Sequence, residues 1–209
     1  VHLNGKPLME FPERIISTMF GSFSDSHRKD VGKLGYPAKK WFSNLDKSLS
    51  SEEISAIEIN YDVFEQKVQK LKECDFCLIG PNPLDCLVIL ERTDLIRKLI
   101  DIVRKHGLIP LGLSHLTAIS IPKMDKLDFA GYWTWINKEF QFPNEDDAWK
   151  AIGSTSRPVT AMKVLAGGKI SDIEGAISYI KKNGAEAINL GVETKEQAIE
   201  TFGIAQKYY

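Results

Sequence analysis

The chain has 209 residues, of which 43% are hydrophobic and 26% charged, a balance typical of a globular protein with its own core. The formal net charge is −1, and no cluster of basic residues favours nucleic acid as a partner. The apolar runs are all interrupted well short of the roughly 20 residues that a membrane helix needs, so we expect no membrane partner either.

The three cysteines, Cys74, Cys77 and Cys86, lie close together. An odd number at this spacing is a poor disulfide framework and favours a reducing, cytoplasmic location. Cys74 and Cys77 have the spacing of a redox or metal pair. However, residues three apart on a strand face opposite sides, and no second cysteine pair with zinc-finger spacing follows. We therefore interpret the cysteines as structural thiols and assign no metal ligands, although a metal held by residues from separate barrel strands stays open.

The first fifty residues carry few structural signals. One strand is predicted at 14–20, and residues 21–51 have the Ser, Asp, Lys and Gly content of a loop. A helix is predicted over 50–73. Ser50 and Glu53 can form a capping box there, and apolar residues then recur at steps of three and four.

Strands and helices alternate from residue 75 to the end of the sequence. The predicted strands are 75–80, 108–114, 129–136, 159–165 and 187–190. The predicted helices are 84–90, 93–107, 144–153, 171–183 and a last one from 194, with Asn144, Ser171 and Thr194 as cap residues. Uninterrupted alternation predicts neighbouring parallel strands joined by right-handed helical crossovers.

The predicted fold class is α/β, and the pattern favours a TIM (β/α) barrel. Residues 1–209 are predicted to form one such domain, in which 1–50 are largely loop plus one strand. A closed barrel has eight strands, and 1–50 cannot hold the remaining ones because one βαβ unit takes about 30 residues. Either the barrel is incomplete or permuted, or a longer natural chain supplies N-terminal strands. The second alternative is favoured because five strands leave two open edges, and the sequence begins with Val1.

Two loops near the C-terminus resemble those of phosphate-binding barrels. The segments Ala166-Gly-Gly-Lys-Ile-Ser171 and Asn183-Gly-Ala-Glu-Ala-Ile-Asn-Leu-Gly191 are similar to the Gly-Gly-Ile and Gly-Ala-Asp loops of that family. There, backbone amides after strands seven and eight hold a phosphate. The resemblance implies substrate binding at Gly167, Gly168 and Gly191. Two residues depart from the pattern: Lys169 replaces an apolar residue, and Glu193 would repel an anion.

The segment 191–197 is also similar to the tail of aldo-keto reductase-like barrels, in which a glycine turn leads into a capped acidic helix. This second resemblance implies an oxidoreductase that uses a nicotinamide cofactor. The Asp, Tyr, Lys and His catalytic set of that family is not evident in the sequence.

Lys163 is the first candidate for catalysis. It interrupts the apolar strand predicted at 159–165, and burial against the outer helices would be costly for an ammonium group. We therefore expect it to face the barrel interior, where desolvation would favour a neutral amine suited to Schiff-base or general-base chemistry. The alternative is a lysine that pairs with a carboxylate for structural reasons alone.

His115 is the second catalytic candidate, because it follows the predicted strand 108–114 at the end where barrel enzymes carry their active sites. The alternative is a histidine that bonds a loop carbonyl. His27 could join Asp25 as a ligand or base, although we interpret it as a solvated loop residue.

Further polar residues follow two other predicted strands. Asn82, Asn137 and Lys138 are predicted to bind hydroxyls, carboxylates or phosphates of a substrate. Asp85 follows the same strand as Asn82, and we interpret it as the N-cap of the next helix. The tryptophans of the strand 129–136 form either core or a pocket wall.

The sequence thus predicts a cytoplasmic barrel enzyme that acts on a small polar metabolite by lyase or isomerase chemistry. An aldo-keto reductase-like oxidoreductase and a non-catalytic barrel for binding or assembly are the alternatives. No cofactor is required by the sequence, and a homo-oligomer stays open. Asn82, His115, Asn137 and Lys163 are expected to converge on one cavity, because parallel strands end at the same edge.

Overall fold

The computed structural model describes residues 1–21, 23–33, 48–80 and 82–209. These residues form a parallel sheet of five strands and a small antiparallel sheet of three two-residue strands. The small sheet contains β1 (His2–Leu3), β2 (Lys6–Pro7) and β3 (Ile57–Glu58). The parallel sheet contains β4 (Phe76–Ile79), β5 (Ile109–Ser114), β6 (Gly131–Trp135), β7 (Val159–Met162) and β8 (Ala187–Asn189).

Helices precede and separate the strands of the parallel sheet. In the described residues they are α1 (Pro12–Gly21), α2 (Asp25–Lys33), α3 (Ser51–Ser55), α4 (Tyr61–Val68), α5 (Asn82–Ile89), α6 (Thr93–Lys105), α7 (Thr117–Met124), α8 (Glu145–Ser154), α9 (Ile173–Lys182) and α10 (Lys195–Ala205). No helix among these residues is both long and apolar enough to cross a membrane.

Several predicted helix starts are confirmed by side-chain caps. Ser50 accepts a hydrogen bond from the backbone N–H of Glu53 in a capping box, and Asn144 and Thr194 cap α8 and α10. Helix α9 differs from the prediction, because Asp172 rather than Ser171 is its cap.

The prediction of five neighbouring parallel strands from residue 75 onward is confirmed. β4 to β8 pair in chain order, and every pair is parallel. Alternate residues of β4 and β5 are buried, and in β7 Ala161 is fully buried, whereas the edge strand β8 has no buried residue; Ile79 of β4 is 3% exposed. At Gly112 of β5 the Met124 sulfur would lie 2.8 Å from an added Cβ, so the bare backbone lets α7 pack closely on the sheet.

The predictions for the N-terminal part of the chain are largely wrong. Residues 14–20 lie in helix α1 instead of a strand, and much of the predicted loop 21–51 is helix α2. Residue 22 and residues 34–47 of that stretch lie outside the described residues. The predicted helix 50–73 is broken at Ile57, which pairs with Leu3 in the small sheet. A new helix then starts after its cap, Asn60.

The parallel sheet does not close into a barrel. β5, β6 and β7 each have two neighbours, whereas β4 and β8 each have one among the described residues. The α/β class is therefore correct, but the closed eight-stranded arrangement is not observed. The sheet face away from the core is apolar and partly open: Phe76 is 53% exposed, and Leu78 and Ile109 are each 38% exposed.

A separate aromatic cluster packs beside the end of β6. Phe20 of α1 packs with a group of side chains that consists of Phe23, Leu116, Phe140 and Phe142, and the partly buried Trp135 lies against it. The N-terminal helix thus helps to wall in the edge at which the parallel strands end, which we call the carboxyl edge.

Candidate functional site

Three candidate side chains meet at the carboxyl edge. His115 directly follows β5, Trp135 is the last residue of β6, and Lys163 directly follows β7. The ring centroids of His115 and Trp135 are 5.5 Å apart, and Nζ of Lys163 lies 4.1 Å from the Trp135 centroid. His115 and Lys163 therefore both contact one tryptophan, and the Lys163 ammonium lies less than about 10 Å from the His115 ring. We call His115, Trp135, Lys163 and Asp85 the rim cluster.

Asp85 joins the cluster from helix α5. It is 8% exposed, and its Oδ2 lies 3.0 Å from Nδ1 of His115. The backbone N–H of His115 also donates to both carboxylate oxygens, at 3.2 and 3.3 Å. Because a carboxylate only accepts hydrogen bonds, this contact selects, for the neutral imidazole, the tautomer with the proton on Nδ1 and the lone pair on Nε2. The interpretation of Asp85 as a helix N-cap is wrong, since α5 begins three residues earlier.

Two buried serines hold the Asp85 carboxylate in place. Ser114 Oγ donates to Asp85 Oδ1 at 2.5 Å, lies 2.7 Å from Ser120 Oγ, and accepts from the N–H of Leu116. Both serines are fully buried. Since the Ser114 hydroxyl proton goes to the carboxylate rather than to His115, the arrangement is a supported Asp–His pair and lacks the serine–histidine bond of a serine nucleophile.

Trp135 is the centre of the rim cluster. Its ring stacks on Phe140 at a centroid distance of 4.1 Å and an interplanar angle of 18°. Its indole nitrogen is buried and has no hydrogen-bond acceptor among the described residues. A buried donor without a partner costs about 1–3 kcal/mol. The unsatisfied donor and the edge-on His115 make this tryptophan a wall of the candidate site.

Lys163 lies in a different environment from the one that its strand pattern predicts. β7 ends at Met162, and Lys163 has φ +57°, a left-handed conformation that turns the chain away from the sheet. Its side chain is exposed, not buried in a barrel interior. It forms no salt bridge among the described residues, and it lies over the Trp135 ring as a cation–π contact.

The side chain of Asn137 forms hydrogen bonds with the backbone of the loops that follow β6 and β7. It is 1% exposed; its Nδ2 donates to the Lys163 carbonyl at 2.9 Å, and its Oδ1 accepts from the N–H groups of Glu139 and Phe140. Its observed role is to hold the loops after β6 and β7 together and to fix the backbone of Lys163. This buried amide leaves little capacity for the substrate contact that the sequence predicts.

Lys138, Gly167, Gly168 and Gly191 follow strands at the same edge and form no contact with the rim cluster among the described residues. Lys138 is exposed, with Nζ 3.4 Å from Asp172 Oδ2. Gly167 and Gly168 lie in the exposed loop after β7 with positive φ, and Gly191 follows β8. Asn82 is the first residue of α5, and its side chain lies outside the described part of the structure, as does that of His27.

The thiols give no nucleophile to this site. Cys86 follows Asp85 in α5, and burial together with the Asp85 charge raises the pKa of its thiol to about 12. Cys77 is buried and Cys74 is exposed, and all three are free thiols. Among the described residues, no three His, Cys, Asp or Glu side chains gather as a metal-ligand set.

The sequence gives no clear signal for the role of Ser120 or for the pairing of Asp85 with His115. Ser120 lies on α7, a helix that contains Pro122 and that the sequence pattern does not predict. Asp85 and His115 are 30 residues apart, so their pairing depends on how β4 and β5 align. Only the rule that parallel strands end at one edge could have suggested it.

Comparison of the chain with protein-family models, with curated proteins and with solved structures finds no match.

Proposed function

We propose that this protein is an enzyme that transfers protons on a small polar metabolite, as an isomerase or a lyase, with His115 as the general base. The observation that carries the proposal is the Asp85–His115 hydrogen bond at the carboxyl edge. It leaves Nε2 unprotonated and without a hydrogen-bond partner among the described residues. A histidine held in this tautomer can take a proton from a carbon atom and return it elsewhere.

The proton transfer can be written with His115 and substrate alone. Nε2 takes a proton from a carbon next to a carbonyl group, and the C–H electron pair becomes part of an enolate. The imidazolium that forms is stabilised by the Asp85 carboxylate at 3.0 Å. Return of the proton to a neighbouring atom gives an isomer. In the lyase reaction the enolate forms a C–C double bond, a group on the next carbon leaves with the electron pair of its bond, and that group takes the proton from the imidazolium.

Lys163 supports this chemistry as a cation instead of as a nucleophile. A cation–π contact with Trp135 is made by the charged ammonium, and the exposed position lacks the burial that favours a neutral amine. We therefore replace the Schiff-base role that the sequence suggests with electrostatic stabilisation of negative charge on the substrate.

The experiment is a hydrogen–deuterium exchange assay in D₂O. Short aldehydes, ketones, oxo acids and hydroxy acids are incubated with the protein, and loss of their C–H signals is followed by ¹H NMR. We expect enzyme-dependent exchange for at least one compound, and a decrease of about 10²–10⁴-fold in the His115→Gln variant.

His106→Gln is the matched control, because His106 also bonds a carboxylate: its Nε2 lies 2.7 Å from Glu65 Oε1, at the end of helix α6. This histidine precedes β5 and therefore lies away from the carboxyl edge. Exchange rates that fall equally in both variants, or an absence of exchange for every compound, would refute the proposed function.

A second candidate function is binding without catalysis, and the open face of the sheet favours it. A cavity of about 600 Å³ lies on that face, lined by apolar side chains that include Phe76, Leu78 and Trp133. The exchange assay separates the two functions, because a binding protein would not exchange substrate hydrogens. No observation favours the aldo-keto reductase-like alternative, since among the described residues no tyrosine contacts His115.

We propose, too, that the sheet is part of a (β/α) barrel wall that additional strands complete. The consecutive parallel order and the open apolar face support this. Asp75 O accepts from Ile109 N, so the N–H groups of Phe76 and Leu78 point to the outer edge of β4. Slow amide hydrogen exchange at these two positions is expected if a strand pairs there. Fast exchange would refute closure.

A cytoplasmic location also stays a proposal, supported by the three free thiols. Fractionation of the source cells, with the thiols trapped by alkylation, would test it; oxidised thiols in an extracytoplasmic fraction would contradict it.

A further inference from the structure

We infer that the substrate of the rim cluster is a small oxocarboxylate whose carboxylate is bound by Lys163. This inference rests on the proposed function, because it places the reacting carbon of that substrate at Nε2 of His115. It is carried by the geometry of Lys163, Trp135 and His115 and by the charges around them.

The Lys163 ammonium is a positive charge without a neighbouring carboxylate among the described residues, within about 10 Å of the His115 ring. Lys163 is exposed, and no carboxylate lies within ion-pair distance of its ammonium group among the described residues. The neighbouring Lys138 is different, because it is paired with Asp172. The Lys163 ammonium is held over an aromatic ring, and its backbone is fixed by the buried Asn137. An ammonium group that lacks an ion-pair partner and lies within about 10 Å of a base is suited to bind the anionic end of a substrate.

The distance between the Lys163 ammonium and the His115 ring limits the length of the substrate. Nζ of Lys163 is less than about 10 Å from the His115 ring, as the two contacts with Trp135 require. An ammonium–carboxylate contact takes about 2.8 Å, and the approach of a base to a reacting carbon takes about 3.3 Å. At most about 4 Å is left between the carboxylate oxygen and the reacting carbon. This upper limit admits a carboxyl group followed by no more than about two further carbons, and the shortest such skeleton with an acidic C–H bond is that of a 2-oxo acid with its C3–H bond.

The positive charge at the rim cluster favours a carboxylate over a phosphate. One lysine presents one compact positive charge, which matches a monoanion. No arginine contacts the rim cluster among the described residues, so a bidentate phosphate clamp is absent from this part of the molecule.

The reaction follows from this placement. Nε2 of His115 takes one C3 proton of the 2-oxo acid, and the C–H electron pair forms the C2–C3 double bond of an enolate. The negative charge moves to the C2 oxygen, while the carboxylate stays on Lys163. Return of the proton, or of a deuteron from D₂O, restores the oxo acid. No oxidant, reductant or further reactant is consumed.

The test measures binding and exchange separately. Protein with ¹⁵N-labelled tryptophan is titrated with pyruvate, and the indole signal of Trp135 is assigned with Trp135→Phe. We expect a saturable shift of this signal, and a dissociation constant that rises about five- to tenfold in Lys163→Gln. Added salt should raise the dissociation constant as well. Lys182→Gln removes an exposed lysine of α9 and should leave binding unchanged.

Pyruvamide and inorganic phosphate serve as the comparison ligands. Tighter binding of the neutral amide or of phosphate, or an unchanged dissociation constant in Lys163→Gln, would overturn the inference. Faster His115-dependent exchange of neutral ketones than of pyruvate would do so while leaving the proposed function intact. Lys163-dependent pyruvate binding without deuterium exchange would instead support the carboxylate site and refute the proposed function.

Discussion

Replacing Asp85 by alanine removes the acceptor on which the candidate site is built. Three donors depend on that carboxylate: the Ser114 hydroxyl, the His115 backbone N–H and the His115 ring Nδ1–H. Asp85 is only 8% exposed, so water does not simply take its place. The Asp85→Ala variant should therefore lose stability even if no substrate is ever bound.

The size of the loss follows from what each donor can do next. The Ser114 hydroxyl can turn to Ser120, 2.7 Å away, so its penalty is small. The two His115 donors are only partly buried and each costs about 1–2 kcal/mol when left without an acceptor. The total is about 2–4 kcal/mol in the free energy of unfolding, or roughly 5–15 °C in Tm for a chain of this size.

Urea denaturation followed by circular dichroism measures this loss. Asp128→Ala is the control, because Asp128 is an exposed carboxylate that pairs with Arg104 at 2.8 Å, and exposed pairs contribute about 0–1 kcal/mol. If Asp85→Ala and Asp128→Ala unfold at the same urea concentration, the hydrogen bonds to Asp85 do not have the role argued for them.

Three further predictions concern the scaffold. Arg92→Ala should cost about 1–3 kcal/mol of unfolding free energy in urea denaturation, since the partly buried guanidinium donates to carbonyls before and within β3. The exposed Arg97→Ala should cost little, and equal losses would contradict this role of Arg92. Ellman's reagent should titrate one thiol rapidly in the folded protein, Cys74, and the two buried thiols only after unfolding; three fast thiols would contradict the structure. Gly80→Ala should destabilise the protein by about 1–3 kcal/mol, because Gly80 has φ +141° and an added Cβ would lie 2.3 Å from a carbonyl oxygen. Gly153 lies on a helix with open space around it, so Gly153→Ala should stabilise the protein by about 0.5–1 kcal/mol. A thermal melt in which the Gly80 variant is more stable than the Gly153 variant would refute this.

The parallel sheet could be predicted because its signals are local. The strand β5, for example, is bounded by Gly107, where a helix ends with positive φ, and by His115, and its apolar residues lie between these markers. Helix caps such as Asn144 are equally local, since the cap side chain bonds a backbone group three residues ahead. Such features depend little on the rest of the fold.

The N-terminal elements could not be predicted because distant parts of the chain decide them. The short apolar run at 14–20 fits a strand or a buried helix equally well, and packing of Phe20 in the aromatic cluster selects the helix. Likewise, the apolar stripe of 50–73 continues through Ile57, but that residue pairs with Leu3, more than fifty residues earlier in the chain.

The candidate site was predictable in its position and only partly in its chemistry. The edge rule correctly brings His115 and Lys163 to one edge of the sheet. The direction of Lys163 was predicted wrongly, because the strand ends one residue before it and the chain turns at a left-handed residue. The pairing of His115 with Asp85 depends on strand alignment, which the sequence alone does not reveal.

The position of the proton on the His115 ring is the most direct test of whether His115 can act as a general base through Nε2. Long-range ¹H–¹⁵N NMR of the imidazole, above the pH at which the ring is protonated, distinguishes a proton on Nδ1 from one on Nε2. We expect a proton on Nδ1, donated to Asp85, and loss of this preference in Asp85→Ala, because alanine leaves no side-chain acceptor at that position. A proton on Nε2 in the unmodified protein would contradict the account, because His115 would then have no lone pair facing the carboxyl edge.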